Sequence, residues 1–275
     1  MNIVITGSTR GIGLGLAREF LVRGHRVFIS SRHQEAVQQT LAGLVEDFPA
    51  TDIAGQVCDV TRESDVKALW DAAVHAFGVV DIWINNAGCN NAKQLIHEMT
   101  IDDIESTLRT NLVGTVSGSV IAYRGMQAQG SGWIYNMEGF GSDGMIGIYQ
   151  IPYGLSKYGL RYFTKALAKT ARDTPVRVGY LSPGIVTTEM AVPRKELRGA
   201  FFYEKMKLLN VLSDHVETVT PWLVDQMLAS NAGGKNGMAI RWMTLPRVLG
   251  RFISSLFRKR RVIEEAMERR DRMTP

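Results

Sequence analysis

The sequence predicts an α/β fold, a doubly wound parallel sheet of about seven strands in a single domain. Two observations carry this. Short apolar runs bounded by turn residues alternate with longer amphipathic stretches, the rhythm of strands joined by helical crossovers. The first of those runs leads straight into a glycine-rich turn, TGSTRGIG, that opens a helical pattern, as a dinucleotide-binding turn does.

In order, NIVIT, RVFIS, DIAGQV, DIWIN, GWIYNM, VRVGYL and GMAIRWM read as strands. Helical spacing of apolar residues predicts helices over 12–23, 34–48, 63–77, 101–126, 149–172 and 217–229. No Pro/Ser-rich linker or internal repeat divides the 275 residues. Residues 1–244 are therefore read as a Rossmann-type nucleotide-binding domain, with about 189–215 covering the substrate. Residues 245–275 are read as a basic amphipathic extension.

A hydrophobic content of 45% supports a sizeable core. No apolar run approaches the roughly 18–20 residues of a membrane-spanning helix. Taken as a whole product, the chain is expected to be cytoplasmic, with a plastid address only if a transit peptide has been removed. Cys58 and Cys89 lie outside any C-x-x-C pattern, and the five histidines show no ligand spacing, so no metal site is expected. Charge is unevenly placed. Residues 241–275 carry ten Arg/Lys and four Asp/Glu, a balance of +6 against a chain total of +5.

Within the first turn, Gly7, Ser8, Thr9, Arg10, Gly11, Ile12 and Gly13 form the candidate cofactor loop. Gly7 permits the tight turn, Gly11 lets backbone approach a diphosphate, and Gly13 lets the helix pack on the strand. After the second strand come Ser31 and Arg32, where an NAD site would place a carboxylate for the ribose hydroxyl. Arg32 and Arg10 could instead pair with a 2′-phosphate, which favours NADPH. Asp59 and Val60 of CDVT are placed to hold the adenine, and Asn86, Ala87 and Gly88 of NNAG to line the cofactor. Pro183, Gly184, Ile185 and Thr187 follow the sixth strand, within reach of a nicotinamide.

Tyr153 and Lys157 are four residues apart, so their side chains share one helix face. A nearby ammonium and a nicotinamide charge would lower the phenol's pKa and let it donate a proton. Asn111, inside a long helical pattern, could hold a proton-relaying water or satisfy a backbone carbonyl.

Together these blocks resemble the short-chain dehydrogenase/reductase family over residues 2 to about 242. The resemblance implies that Tyr153 is the acid, that Lys157 binds the nicotinamide ribose, and that Asn111 supports the proton relay. It also implies a homodimer or homotetramer. The family's catalytic serine lies three residues after an asparagine matching Asn136, and that position here is Gly139, preceded by Glu138. Ser142, the nearest later hydroxyl, is expected to substitute. Glu138 is its rival, able to polarise a carbonyl only if protonated. The segments IYNMEGFGSDG, YGLSK and LSPGIVTTEM are similar, more narrowly, to the chlorophyll(ide) b reductases. That implies NADPH-dependent reduction of a ring formyl group on a bulky hydrophobic pigment. The rival readings are a reductase of another bulky carbonyl (retinoid, steroid or acyl thioester) and a non-catalytic NADP sensor.

In the extension, Val248, Leu249, Phe252, Ile253, Leu256 and Phe257 form one apolar helical face. Seven basic and no acidic residues lie between positions 241 and 261. Such a segment could lie on an anionic membrane, pack on the domain, cover the substrate cleft or meet another subunit. No nucleic-acid recognition motif accompanies the charge, so none is expected to bind.

Overall fold

β1 (Asn2–Ile5) is buried along its whole length, as expected of a central parallel strand covered on both faces. The computed structural model describes residues 1–90, 94–192, 200–231, 233 and 235–273. β2 (Arg26–Ser31), β3 (Ile53–Val57), β4 (Ile82–Asn85), β5 (Gly132–Met137) and β6 (Val176–Ser182) flank β1. The short strands β7 (Ile185–Val186) and β8 (Ser213–Asp214) pair only with each other. β9 (Ala239–Arg241) completes the main sheet, whose order is β3-β2-β1-β4-β5-β6-β9 with every pairing parallel. This is the predicted doubly wound architecture.

Two core layers cover the sheet. On one face, α1 (Gly11–Val22), α2 (Gln34–Val45) and α8 (Val216–Asn231) bring Leu16, Phe20, Leu44 and Leu223 against Ile3, Ile5 and Ile29. On the other, α3 (Glu63–Phe77), α5 (Gly114–Gln129) and α6 (Ile151–Thr170) bring Leu69, Trp70, Ala122, Met126 and Ala168 against Val4, Trp83 and Ile134. The single helix expected over 101–126 is broken. α4 (Ile101–Leu108) passes into a π-helical turn, Arg109–Val113, before α5 begins. Such turns insert one extra residue and recur at functional sites.

A buried polar chain sets the register between layers. Trp83 Nε1 donates to Asn85 Oδ1 at 2.8 Å, and Asn85 Nδ2 donates to Asn136 Oδ1 at 2.8 Å and Ser119 Oγ at 3.0 Å. Asn136 Nδ2 in turn donates to Thr164 Oγ1 of α6 at 2.9 Å. Asn136 and Thr164 are fully buried, so any slip of α6 along the sheet would leave amides without partners.

The C-terminal segment docks on the domain through charge. α7 (Ala200–Leu212) precedes β8, and α9 (Leu245–Ser255) and α10 (Val262–Met273) follow the sheet. Asp214, buried on β8, accepts from Trp242 Nε1 (2.6 Å), Arg251 Nη2 of α9 (2.6 Å) and Arg260 Nη2 (2.9 Å). Val192 and Ile263 centre a small separate core with Met206, Leu209, Ala266 and Met267. Residues 193–199 of the expected substrate cover lie outside the described residues.

Burial alone would raise the Asp214 pKa, but hydrogen bonds from Trp242, Arg251 and Arg260 outweigh it and hold the carboxyl low. Its folded pKa thus lies below its unfolded one, so its stabilisation is present at neutral pH and fades as acid reaches the folded value. Asp214→Ala leaves two guanidiniums facing no carboxylate and should cost about 3 kcal/mol. Urea unfolding at neutral pH reads that loss, and the gap between variant and parent should narrow in acid.

Candidate active site

The ligand crevice of a doubly wound sheet lies at the carboxyl edge of its strands, where strand order reverses. Here that point falls between β1 and β4, and the glycine turn leaves β1 there. A Cβ on Gly13 would sit 2.5 Å from both Asn86 Nδ2 and the Gly7 carbonyl oxygen, so only glycine lets α1 start this close. Asn86 braces the turn by donating to the carbonyls of Thr6 and Gly7, each at 2.9 Å. Thr6 Oγ1 accepts from the N–H groups of Asn86 and Ala87 at 3.0 and 3.1 Å. No side chain caps α1 and its first turn holds no acid, leaving backbone donors for an anion. This cradle fits a dinucleotide diphosphate.

The expected cofactor residues divide by role. Ser8 turns inward, donating to the Ile5 carbonyl at 2.7 Å and accepting from Ser30 N–H at 2.9 Å, so it shapes the turn. Ile12 packs on the core, and the Thr9 carbonyl accepts from Thr40. Arg10 is paired with Glu189 at 2.6 Å. Arg32, just past β2, is exposed, with Nε 3.1 Å from His33 Nε2. The Ser31 carbonyl accepts from Cys58 N–H. Asp59 is held below the usual carboxylate range: burial opposes ionisation, but two hydrogen bonds from Thr61 and the charges of Arg62 and Arg32 prevail. Val60 packs on Gly114 at the start of α5, and Gly88 faces Asn111. Pro183 is buried, Gly184 is exposed and Ile185 opens β7. Thr187 Oγ1 donates to the Asp214 carbonyl at 3.3 Å and lies 3.2 Å from His215 Nδ1, while His215 Nε2 lies 3.4 Å from Glu265.

α6 brings Tyr153 and Lys157 together at this edge. Lys157 Nζ donates to the Met137 carbonyl at the end of β5 (3.0 Å) and stands 5.7 Å from the Tyr153 ring centroid. Burial pushes the phenol up to about 12, and the Cys89 thiol adds to this. Burial draws Lys157 down to about 8, partly offset by Cys89 and Glu138. Burial thus favours the neutral form of both groups, and the lowering expected from the sequence rests on a nicotinamide charge as well as on the ammonium. Asn111 serves backbone: Cys89 N–H donates to its Oδ1, and its Nδ2 donates to the Cys89 carbonyl, both at 2.8 Å. The same Nδ2 reaches Ser156 Oγ at 3.1 Å, and Ser156 donates to the Tyr153 carbonyl at 2.7 Å. The π turn thereby ties the NNAG loop to the tyrosine's own helix. Asn90, Met99, Gln150 and Pro152 line a small cavity beside Tyr153.

The model of the short chain dehydrogenase family matches residues 1–198. The chain belongs to that family. It is 36% identical over 280 aligned positions to a protein of Oryza sativa subsp. japonica described as a probable chloroplastic chlorophyll(ide) b reductase, covering 96% of this chain and 54% of that one. A chloroplastic chlorophyll(ide) b reductase of Arabidopsis thaliana is 36% identical over 85% of this chain and 67% of its own length. This chain thus spans about half to two thirds of these relatives. An actinorhodin polyketide ketoreductase crystallised with NADPH superimposes with a TM-score of 0.76 at 28% identity, over 88% of this chain and 95% of that one.

Against the family pattern, the structure shows what stands at the vacant serine position. A Cβ on Gly139 would lie 2.3 Å from Tyr153 Oη and 3.2 Å from Lys157 Cε. The tyrosine hydroxyl fills that space. Ser142 N–H donates to the Gly139 carbonyl at 3.1 Å, its hydroxyl helps draw the Glu138 pKa down, and its carbonyl accepts from Arg161 Nη1 at 3.2 Å. Glu138 lies 3.5 Å from Arg161 Nε, and burial raises its pKa against the pull of Arg161, Arg241 and Ser142. The serine-less motif was legible; the close packing of Gly139 on Tyr153 was not, because it joins β5 to α6 across the sheet edge. Sequence reading also missed Cys89, His215 and the Met137 carbonyl, which no motif marks.

Gly139→Ala should force the tyrosine hydroxyl aside without unfolding the chain. A displacement of that size can cost on the order of 100-fold in turnover. Steady-state kinetics beside circular dichroism checks it, with turnover falling and the spectrum unchanged.

Proposed function

We propose that the protein is an NADPH-dependent carbonyl reductase whose substrate is a bulky apolar aldehyde, most specifically the ring formyl group of chlorophyll b or chlorophyllide b. The observation that carries the chemistry is the pair on α6, a half-buried phenol and a buried ammonium brought together at the carboxyl edge beside an open glycine cradle. A bound nicotinamide would supply the hydride. The glycine turn and the N-terminus of α1 would hold its diphosphate, and Thr187, Ile185 and Gly184 would flank its far end.

The chain's own residues handle the proton. Tyr153 Oη, at the head of the small cavity, donates to the carbonyl oxygen as it gains charge. A phenol near 12 is too weak an acid for fast exchange at neutral pH, so it needs a positive neighbour. Lys157, fixed on the Met137 carbonyl, supplies one, while burial draws its own pKa down to about 8. Asn111 holds the Cys89 backbone and Ser156, keeping loop and helix in register. Ser142 could polarise the substrate only by releasing Glu138.

Similarity to the chlorophyll(ide) b reductases supports the pigment. So does the loop before α6, where Met145, Ile146 and Ile148 are exposed together with Ile151, an apolar surface of the kind that marks a contact. The same surface suits a retinoid, steroid or acyl thioester.

Chlorophyllide b and a panel of smaller aldehydes, each with NADPH and with NADH, form the test. Tyr153→Phe should abolish most turnover while leaving cofactor binding intact; wild-type turnover would remove the tyrosine from the chemistry. Arg32→Ala should raise the Michaelis constant for NADPH roughly ten-fold or more, since a lost charge-assisted contact costs about 1.5–3 kcal/mol, and leave NADH unaffected. Equal use of both cofactors by the parent would overturn the phosphate assignment, and turnover of small aldehydes alone would overturn the pigment.

A further inference from the structure

A surface helix normally turns its apolar stripe toward the core and its charges toward water. α9 does the reverse. Its Arg247 guanidinium lies 3.7 Å from the Trp242 ring centroid and also faces Trp222. Its Arg251 donates to Asp214 and to the Leu212 carbonyl. With its cations used as anchors, the helix has no buried residue, and Leu245, Leu249, Phe252, Ile253, Leu256 and Phe257 all face outward. Leu256 and Phe257 are 79% and 82% exposed. Six large apolar side chains on one outward ridge call for a partner.

We infer that α9 is a lipid-facing helix that seats the protein on an anionic membrane surface. Charge selects this partner over a second copy of the chain. Arg258 and Lys259, at the end of the ridge, are exposed and form no salt bridge among the described residues, although the charge of Lys259 is felt by Glu264. Positions 241–261 contain no acid, so a two-fold contact between copies through this ridge would set cations near cations. Anionic headgroups with acyl chains beneath them satisfy both the ridge and its basic end. Among the described residues no helix is long and apolar enough to cross a membrane, so α9 lies on the surface. Met243, two residues before α9, packs on Gly184 at the carboxyl edge of the sheet. The lipid-facing ridge therefore begins beside the cleft, where a bulky apolar substrate would enter from the bilayer.

The inference concerns α9 alone and is tested without substrate, so its failure would leave the reductase reading standing. The full chain would be sedimented with vesicles of phosphatidylcholine alone or mixed with phosphatidylglycerol. Binding to the mixed vesicles is expected, and added salt should weaken it. Arg258→Ser with Lys259→Ser should weaken it roughly 30-fold, at the usual contribution of a cation near an anionic surface. Leu256→Ser with Phe257→Ser should remove binding while the circular dichroism spectrum stays unchanged, since both side chains are already in water. No binding to either vesicle, or binding that both double variants retain, would overturn the inference. So would a dimer in analytical ultracentrifugation that becomes monomeric when Leu256 and Phe257 are replaced, because the ridge would then belong to a second copy.

Discussion

The hydrogen bond from Asn136 to Thr164 is the joint on which the site depends. It ties β5 to α6 inside a buried layer, where an unpaired amide costs more than an ordinary packing defect. From that joint the rest follows along two short paths. Toward the carboxyl end of β5, the Met137 carbonyl meets Lys157 and Gly139 meets the Tyr153 hydroxyl. Toward β4, Asn85 extends the same network to Trp83 and Ser119. Two catalytic candidates on a helix are thus located by residues at the end of β5.

The electrostatics of the pair are governed by burial. Burial disfavours charge on both groups, so the phenol is held as phenol and the ammonium is weakened. Only a further positive charge at the same edge would shift the tyrosine toward exchange. Cys89 works in the opposite sense on the tyrosine, and its backbone is clamped by Asn111.

Much of the fold was legible because strands such as β1 and β4, buried on both faces, read as unbroken apolar runs. The glycine turn and the Tyr153–Lys157 spacing were legible for a similar reason: each is local. The unread features are not local. β7 and β8 have two residues each and carry no period. The π turn at Asn111 hid inside a pattern that stays amphipathic on either side of it. The pairing of Arg10 with Glu189 joins residues far apart in the chain. For α9, periodicity showed an apolar face but could not show which way it points. That depended on Asp214, whose arginine partners lie 37 and 46 residues downstream.

The route by which the tail is attached has a mechanical consequence. α10 holds the segment after β7 through Arg270, which donates to the carbonyls of Glu189 and Val192. Arg251 and Arg260 hold β8 through Asp214, and β8 is the sole sheet partner of β7 among the described residues. Tension applied at the C-terminus would therefore load the β7–β8 pair and the Thr187 wall before it reached the seven-stranded sheet. The glycine cradle shares that load, because Glu189 on the same path pairs with Arg10.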